Sequence, residues 1–423
     1  MNDMTDILPP DWSEENQMIK VIGVGGGGCN AVTYMFNKNI EGCSFIVCNT
    51  DSAALRSSNV PVKIQMGPGL GAGCDPTEGR KWAIETQDQI ARVALDSGTK
   101  MLFITAGMGG GTGTGAAPVI AKMAKERGIL TVGVVTVPFE NEGNESLSKA
   151  IDGIHELEKN VDSLLIIKNQ NILKFYGDLL LQDAFPKSNE VLATAVKSII
   201  EIISRPGYIN VDFKDVKTMM KNSGCALMGS GTGTGEKRIE DAVREAFHSP
   251  LLNDYDLKSA SNILLNITVG YNEKGVSARQ YEMINSEIKK YTGNVNPFKQ
   301  GLIWDDDPDF GDRINITAIV TGLKFVDIMG PAEDLGNYLI INDDFEYRKK
   351  KNTDAEEGIS LPDSSGIRTK IGFNTQDNQR IFNFNQDEKP ALIIHKDENL
   401  SNLEQVPAIR RSIQRQMKNA KKI

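Results

Sequence analysis

Ala106-Gly107-Met108-Gly109-Gly110-Gly111-Thr112-Gly113-Thr114-Gly115 follows the apolar run MLFIT and leads into a helix-like segment beginning AAPVIAKMAKE. Consecutive glycine N–H groups at a helix start form an anion cradle, and the hydroxyls of Thr112 and Thr114 can add donors to phosphate oxygens. A second such stretch lies upstream, where strand-like IKVIGV runs into Gly25-Gly26-Gly27-Gly28, then Cys29 and Asn30. Four glycines in a row cost backbone entropy that a simple turn need not lose, which argues for a ligand.

Taken alone, Gly23, Gly25 and Gly28 satisfy the GxGxxG of a dinucleotide fold, and Asp51 follows the second strand at about the expected spacing. A nicotinamide-dependent oxidoreductase is therefore a competing reading. Against it, a dinucleotide fold has no use for two glycine loops. The second loop also lacks the GK[ST] ending of a Walker A sequence, so backbone dipoles and not a lysine would hold the phosphates.

Outward from these loops, the Val- and Ile-rich runs SFIVCNT, TVGVVTV and SLLIIKN alternate with helix-like segments as far as about residue 204. Strands buried on both faces have this composition, so the class is α/β with a parallel sheet. From Ser188 to Arg205, apolar residues at helical spacing predict a long buried helix that Pro206-Gly207 ends. The runs NILLNITVG and INITAIVTG with a helix-like stretch between Glu236 and Phe247 predict a second, smaller α+β domain. The expected organisation is a tail over 1–17, a nucleotide-binding α/β domain over 18–186, a central helix over 187–207 and an α+β domain over 208–323. A disordered C-terminal linker over 324–401 and a docking peptide over 402–423 complete it. In that peptide Val406, Ile409, Ile413 and Met417 recur three or four apart among basic residues, the pattern of a segment that folds on a partner.

Composition excludes several classes of function. The 423 residues carry 47 Lys+Arg against 56 Asp+Glu, and a net charge of -9 repels nucleic acid. No apolar run approaches membrane-spanning length, and the acidic start lacks the pattern of a secretory leader, so a cytoplasmic protein without direct membrane insertion is expected. The cysteines Cys29, Cys43, Cys48, Cys74 and Cys225 form no CxxC or Cys/His cluster and read as buried reduced thiols, and no metal ligand set is expected. His155, His248 and His395 lie too far apart in sequence to support a histidine site.

The segment GMGGGTGTGAAPVIA resembles the signature of the tubulin-like GTPase family in its bacterial, cell-division form. The likeness extends through GVGGGGCNAV, NTDSAAL, GPGLGAGCDPTEGRKWA, TVGVVTVPFENEG, NVDFKDVKTMM, GSGTGTGEKRIEDA and the terminal VPAIRR. It implies that Gly25, Gly26, Gly27 and Asn30 meet a guanine nucleotide and that Gly71, Ala72 and Gly73 approach its terminal phosphate. Gly109, Gly110, Gly111, Thr112, Gly113 and Thr114 would wrap the phosphates, Pro138 and Glu142 border the ribose, and Phe185 stack near the base. Asn189 and Glu190 would read guanine, with Asn169 in register beside them; a carboxylate accepts from guanine N1–H, where adenine has no proton. Asn210, Asp212 and Asp215 would act on GTP held by a neighbouring copy, in a head-to-tail homopolymer that builds the mid-cell division ring. GTP and GDP with Mg2+ are the implied ligands, and a membrane-tethering division protein is the implied partner of residues 402–423.

The pattern is broken at Val137, Asn141, Ser146, Lys168 and Glu190, the last carrying one methylene more than the usual aspartate. The loss of an arginine at Ser146 removes a cation expected near the nucleotide. A further stretch, Gly229-Ser230-Gly231-Thr232-Gly233-Thr234-Gly235, imitates the phosphate loop; the matching family segment is a turn, so a structural role is expected.

Overall fold

Every residue of IKVIGV and LTVGVVTV is buried, so both strands need helical cover above and below. The structure, a computed structural model, describes residues 18–171, 181–205, 207–209, 211–249, 252, 262–271, 275–293, 298–305, 307–323, 337–341, 347–349 and 381–384. The chain divides into two units, Met1–Ile328 and Met329–Ile423.

In the first unit the elements run β1 (Ile19–Val24), α1 (Gly25–Asn37), β2 (Ser44–Asn49), α2 (Ser52–Ser57), β3 (Val62–Gln65), α3 (Pro76–Glu85) and α4 (Gln87–Ala94). They continue as β4 (Met101–Gly107), α5 (Gly111–Glu126), β5 (Leu130–Val137), α6 (Asn144–Asn160), β6 (Ser163–Lys168), α7 (Leu181–Ser204) and α8 (Phe213–Met220). Then come β7 (Gly224–Gly233), α9 (Arg238–Phe247), β8 (Asn262–Gly270), α10 (Ala278–Thr292), β9 (Phe298–Asp305) and β10 (Ile314–Leu323). All ten strands form one sheet in the order β3-β2-β1-β4-β5-β6-β7-β10-β8-β9. From β3 to β7 neighbours are parallel, while β10 runs antiparallel to both β7 and β8. The first six strands follow the order of a dinucleotide-binding fold, so topology alone does not separate the competing readings.

The expected α/β and α+β parts are joined edge to edge, since Ser163, Leu164 and Leu165 of β6 pair with Gly224, Cys225 and Ala226 of β7. Helix α7 lies against this junction. Its Leu192, Ala195, Val196, Ile199 and Ile200 are buried in one cluster with Ala31 and Met35 of α1 and with Met219 and Met228. The helix begins at Leu181, seven residues before the sequence reading placed it at Ser188.

The mimic Gly229–Gly235 corrects an expectation. Gly229, Gly231 and Gly233 lie within β7 and not in a turn. Cβ atoms there would stand 2.0 Å from Ala246 O, 2.3 Å from Ala242 O and 1.8 Å from Arg238 O. Alternate glycines thus let the backbone of α9 rest directly on the sheet, while Thr234 and Gly235, the latter at φ +71°, leave the strand.

In the second unit β11 (Asn337–Ile341), β12 (Tyr347–Lys349) and β13 (Ile381–Phe384) pair antiparallel, within the segment expected to be a linker. Among the described residues no helix is long and apolar enough to cross a membrane. Of the cysteines, Cys29, Cys43, Cys48 and Cys225 are buried as expected, whereas Cys74 is exposed. Burial pushes the Cys29 and Cys43 thiols up to about 12, so neither is a nucleophile near neutral pH.

Candidate functional site

The two glycine loops found in sequence meet in space at the C-terminal ends of β1 and β4. A Cβ on Gly25 would lie 2.7 Å from Gly113 N, and one on Gly27 would lie 3.1 Å from Gly107 Cα. Gly25 is also held at φ +72°, which L side chains rarely adopt. Helices α1 and α5 both start here without a side-chain cap or an acid in the first turn. Their opening N–H groups are therefore available to an anion, and both helix dipoles favour one. Gly26, Gly27, Asn30 and Gly110 are exposed on this side.

A third wall comes from the loop after β3. Gly71 N donates to Thr50 O at 2.9 Å, tying the loop to the end of β2, and the loop's far end packs on α5. A Cβ on Gly111 would stand 2.8 Å from Asp75 N and 2.9 Å from Ala72 Cβ. Gly71 and Gly73 take φ of +84° and +58° with open space where a Cβ would be, and Ala72 between them packs against Gly111. Asp75 caps α3, and its carboxyl is held below the usual range by the Thr77 hydroxyl and then the Thr77 N–H.

Thr112 and Thr114 have partners within the protein. Thr114 Oγ1 accepts from Gly109 N at 2.9 Å, and Thr112 Oγ1 lies 2.6 Å from Thr50 Oγ1. Both threonines are buried, and their hydroxyls brace the loop, while the Thr114 O–H remains a donor. Gly109, at φ +101°, leaves room for α6, because a Cβ there would meet Ser146 O at 2.8 Å and Pro138 Cγ at 3.2 Å. Pro138 thus borders the cradle. Glu142 Oε1 accepts from Phe139 N at 2.8 Å and closes the turn that carries it.

A separate group forms around the start of α7. Ser188 Oγ donates to Asn169 Oδ1 at 3.1 Å, which holds Asn169 against the turn of α7 that also carries the half-buried Asn189. Glu190 Oε2 pairs with Lys187 Nζ at 2.8 Å, one turn back on the same helix. That lysine was missed in sequence, although an i,i+3 pair on a helix is legible. The side chain of Phe185 and the whole of Asn210 lie outside the described residues.

Asp212 and Asp215 are at the opposite end of the sheet. Phe213 and Lys217 of α8 line a shallow cleft with Lys100 and Ile129, the residues immediately before β4 and β5. The glycine cradle lies after those strands. Seven residues of β4 at roughly 3.3 Å each separate the two ends by about 20 Å. Asp212 Oδ1 accepts from Asp215 N at 2.7 Å and so caps α8, while Asp215 Oδ1 pairs with Lys299 Nζ at 2.9 Å.

The dinucleotide reading is weakened at its acid and not at its glycines, which pack as the first and third glycines of such a fingerprint also do. Gly23 and Gly28 serve packing, with Cβ positions 2.4 Å from Gly28 O and 2.2 Å from Thr105 O. The acid Asp51 accepts from Ala53 N and Ala54 N as the cap of α2, which occupies it away from any ribose.

A family model for the GTPase domain of the Tubulin/FtsZ family matches residues 18–177, and one for the C-terminal domain of the FtsZ family matches residues 224–324. The cell division protein FtsZ of Coxiella burnetii is 46% identical over 318 residues, covering 74% of this chain and 81% of its own. That of Pseudomonas aeruginosa is 46% identical over 314 residues, covering 73% and 78%. Among solved structures, an empty FtsZ dimer from M. jannaschii matches with TM-score 0.68 and 33% identity over 81% of this chain and 94% of that one. The GDP-bound CetZ1 monomer from Haloferax volcanii, TM-score 0.63 at 20% identity, covers 75% and 97% and shares the fold.

Proposed function

The chain belongs to the Tubulin/FtsZ family as a GTPase of the cell-division kind, and from that premise we propose that its catalytic site is split between adjacent copies. The observation that carries this reading is the separation of about 20 Å between the cradle and Asp212 along β4. No rotamer closes such a gap within one chain. A head-to-tail contact does, because it sets the aspartate end of one copy against the glycine cradle of the next, and a contact of this type continues into an open filament.

In this reading Gly25 to Gly27, Gly71 to Gly73 and Gly109 to Thr114 hold the phosphates through backbone N–H groups, and Pro138 and Glu142 border the ribose. Asn169, Asn189 and Glu190 face the base, Glu190 accepting from guanine N1–H and the exocyclic amino group. Asp212 and Asp215 of the adjoining copy orient and polarise the attacking water. Among the described residues no group of three or more His, Cys, Asp or Glu could cage a metal. Mg2+ is commonly held by substrate phosphates and water, and beside this cradle it would supply charge neutralisation on the phosphates.

The split site sets the concentration dependence. Phosphate release per chain should rise steeply above a threshold protein concentration and be nearly absent below it. Constant specific activity from dilute to concentrated protein would refute the composite site.

We also assign residues 402–423, outside the described residues, to docking on a membrane-tethering division protein, and the working location to the cytoplasmic face of the mid-cell division site. The support is the apolar spacing of Val406, Ile409, Ile413 and Met417 among basic residues. A chain ending at Ser401 should polymerise normally with GTP yet fail to reach the division site. Normal mid-cell localisation of this truncated chain as the sole copy would remove the docking role.

A further inference from the structure

Lys149 of α6 is the cation that touches the wall of the phosphate cradle. Its Nζ donates to the carbonyl of Cys74 at 3.0 Å, and it pairs with Glu145 at 2.6 Å. Cys74 closes the loop whose Gly71, Ala72 and Gly73 stand against Gly111. The start of α6 borders the other loop, since Ser146 O lies 2.8 Å from a Cβ placed on Gly109. Lys149 therefore straps one phosphate-facing wall to the element that backs the other.

Both of its present partners are weak. A neutral carbonyl gives less than an ionised acceptor, and Glu145, with a side chain 83% exposed, is a partner screened by water and salt. The Lys149 side chain is itself only 28% exposed, so its ammonium lies partly inside the wall, on a four-carbon stem able to turn. Its field is felt there: it helps lower Asp75, after the Thr77 hydrogen bonds, and it lowers Glu145. The loop it holds has room on its open side and a strained residue at the strap. Nothing lies within 4 Å of a Cβ on Gly71 or Gly73, and Cys74 sits at φ +60°, a strained region for a residue with a side chain.

A cradle built of backbone dipoles wraps a diphosphate and a triphosphate by the same means. The N–H groups of Ala72 and Gly73 gain a partner when the terminal phosphate is present, and a cation beside their loop would sharpen that discrimination with charge. We propose that Lys149 is that cation, a positioning residue: it straps Cys74 when the terminal phosphate is absent and transfers its ammonium to that phosphate when it is present, freeing the loop. This rests on the reading of the cradle as a GTP site. It adds a nucleotide-state sensor that acts through a side chain of α6.

The test uses the full chain below its assembly threshold, comparing wild type with Lys149→Met and Lys149→Arg. Equilibrium binding of GTP and GDP is measured for each, together with the rate at which a small maleimide labels Cys74, the exposed cysteine among five. Lys149→Met should weaken GTP by about 10- to 150-fold, the scale of one charge-assisted hydrogen bond, and GDP by about twofold or less. Lys149→Arg should keep most of the preference. In wild type the labelling rate should differ between GTP and GDP, and in Lys149→Met that difference should disappear. Equal losses for both nucleotides, or an unchanged GTP preference, would overturn the sensor and leave Lys149 a structural strap. Wild-type protein that binds neither nucleotide would instead overturn the cradle reading, and the sensor with it.

Discussion

Asp212→Asn should cut GTP turnover by about 10²- to 10⁴-fold at filament-forming concentrations while leaving the fold and the filaments intact. The structure makes asparagine the decisive substitution. Asp212 Oδ1 accepts the Asp215 N–H at 2.7 Å and caps α8, a duty that asparagine performs about as well as aspartate. Exchange for asparagine removes the charge and keeps the cap. Alanine removes both, at about 0.5–2 kcal/mol of stability, so a slow alanine variant alone would not separate chemistry from folding. Phosphate release, pelleting and urea denaturation should be read on the same samples of both variants. An asparagine variant with normal turnover would reduce Asp212 to a helix cap.

The same pair of duties explains why this end of the molecule was hard to read. In sequence, Asp212-Phe213-Lys214-Asp215 fits a charged helix start as well as a catalytic loop, and the helix start is what the hydrogen bonds display. The catalytic role proposed for it rests on where the sheet puts it, opposite the cradle, a placement that depends on β6 pairing with β7. The cradle was legible for the converse reason. Close backbone approach requires glycine, so the contacts of Gly25 with Gly113 and of Gly111 with Asp75 are written in residue identity.

Glycine also misled. Gly229 to Gly235 repeats the composition of the cradle, but its glycines face the backbone of α9 on a strand, and composition does not say which backbone approaches. Contacts between side chains far apart in sequence left no signal at all. The hydroxyls of Thr50 and Thr112 are 62 positions apart and meet at 2.6 Å, and Lys149 reaches Cys74 across 75 positions. The expectation that all five cysteines would be buried failed at Cys74, whose exposure on the loop after β3 its spacing does not reveal.

The split site makes its strongest claim in a mixture of two inactive proteins. One carries Asp212→Asn and Asp215→Asn and keeps its cradle. The other carries Gly111→Arg and keeps its aspartates. A side chain at Gly111 meets the Asp75 backbone at 2.8 Å and 2.9 Å, which no rotamer relieves, so the loop after β3 must shift at a cost of about 1–3 kcal/mol. The displaced loop and the guanidinium stem then both occupy the space where phosphates enter, so GTP binding should be strongly weakened. The disturbance is confined to the cradle end, about 20 Å from Asp212, so the aspartate face stays competent. Each protein alone should hydrolyse GTP slowly. Mixed, they should recover turnover at every junction where the aspartates of the second meet GTP held by the first. Recovery will be partial, because a Gly111→Arg copy presents no loaded face and terminates growth in one direction. The readout is phosphate release against mixing ratio, with cross-linking to establish that the two proteins are in contact. If they pellet and cross-link together and the mixture is no more active than the sum of its parts, Asp212 and Asp215 do not act in trans.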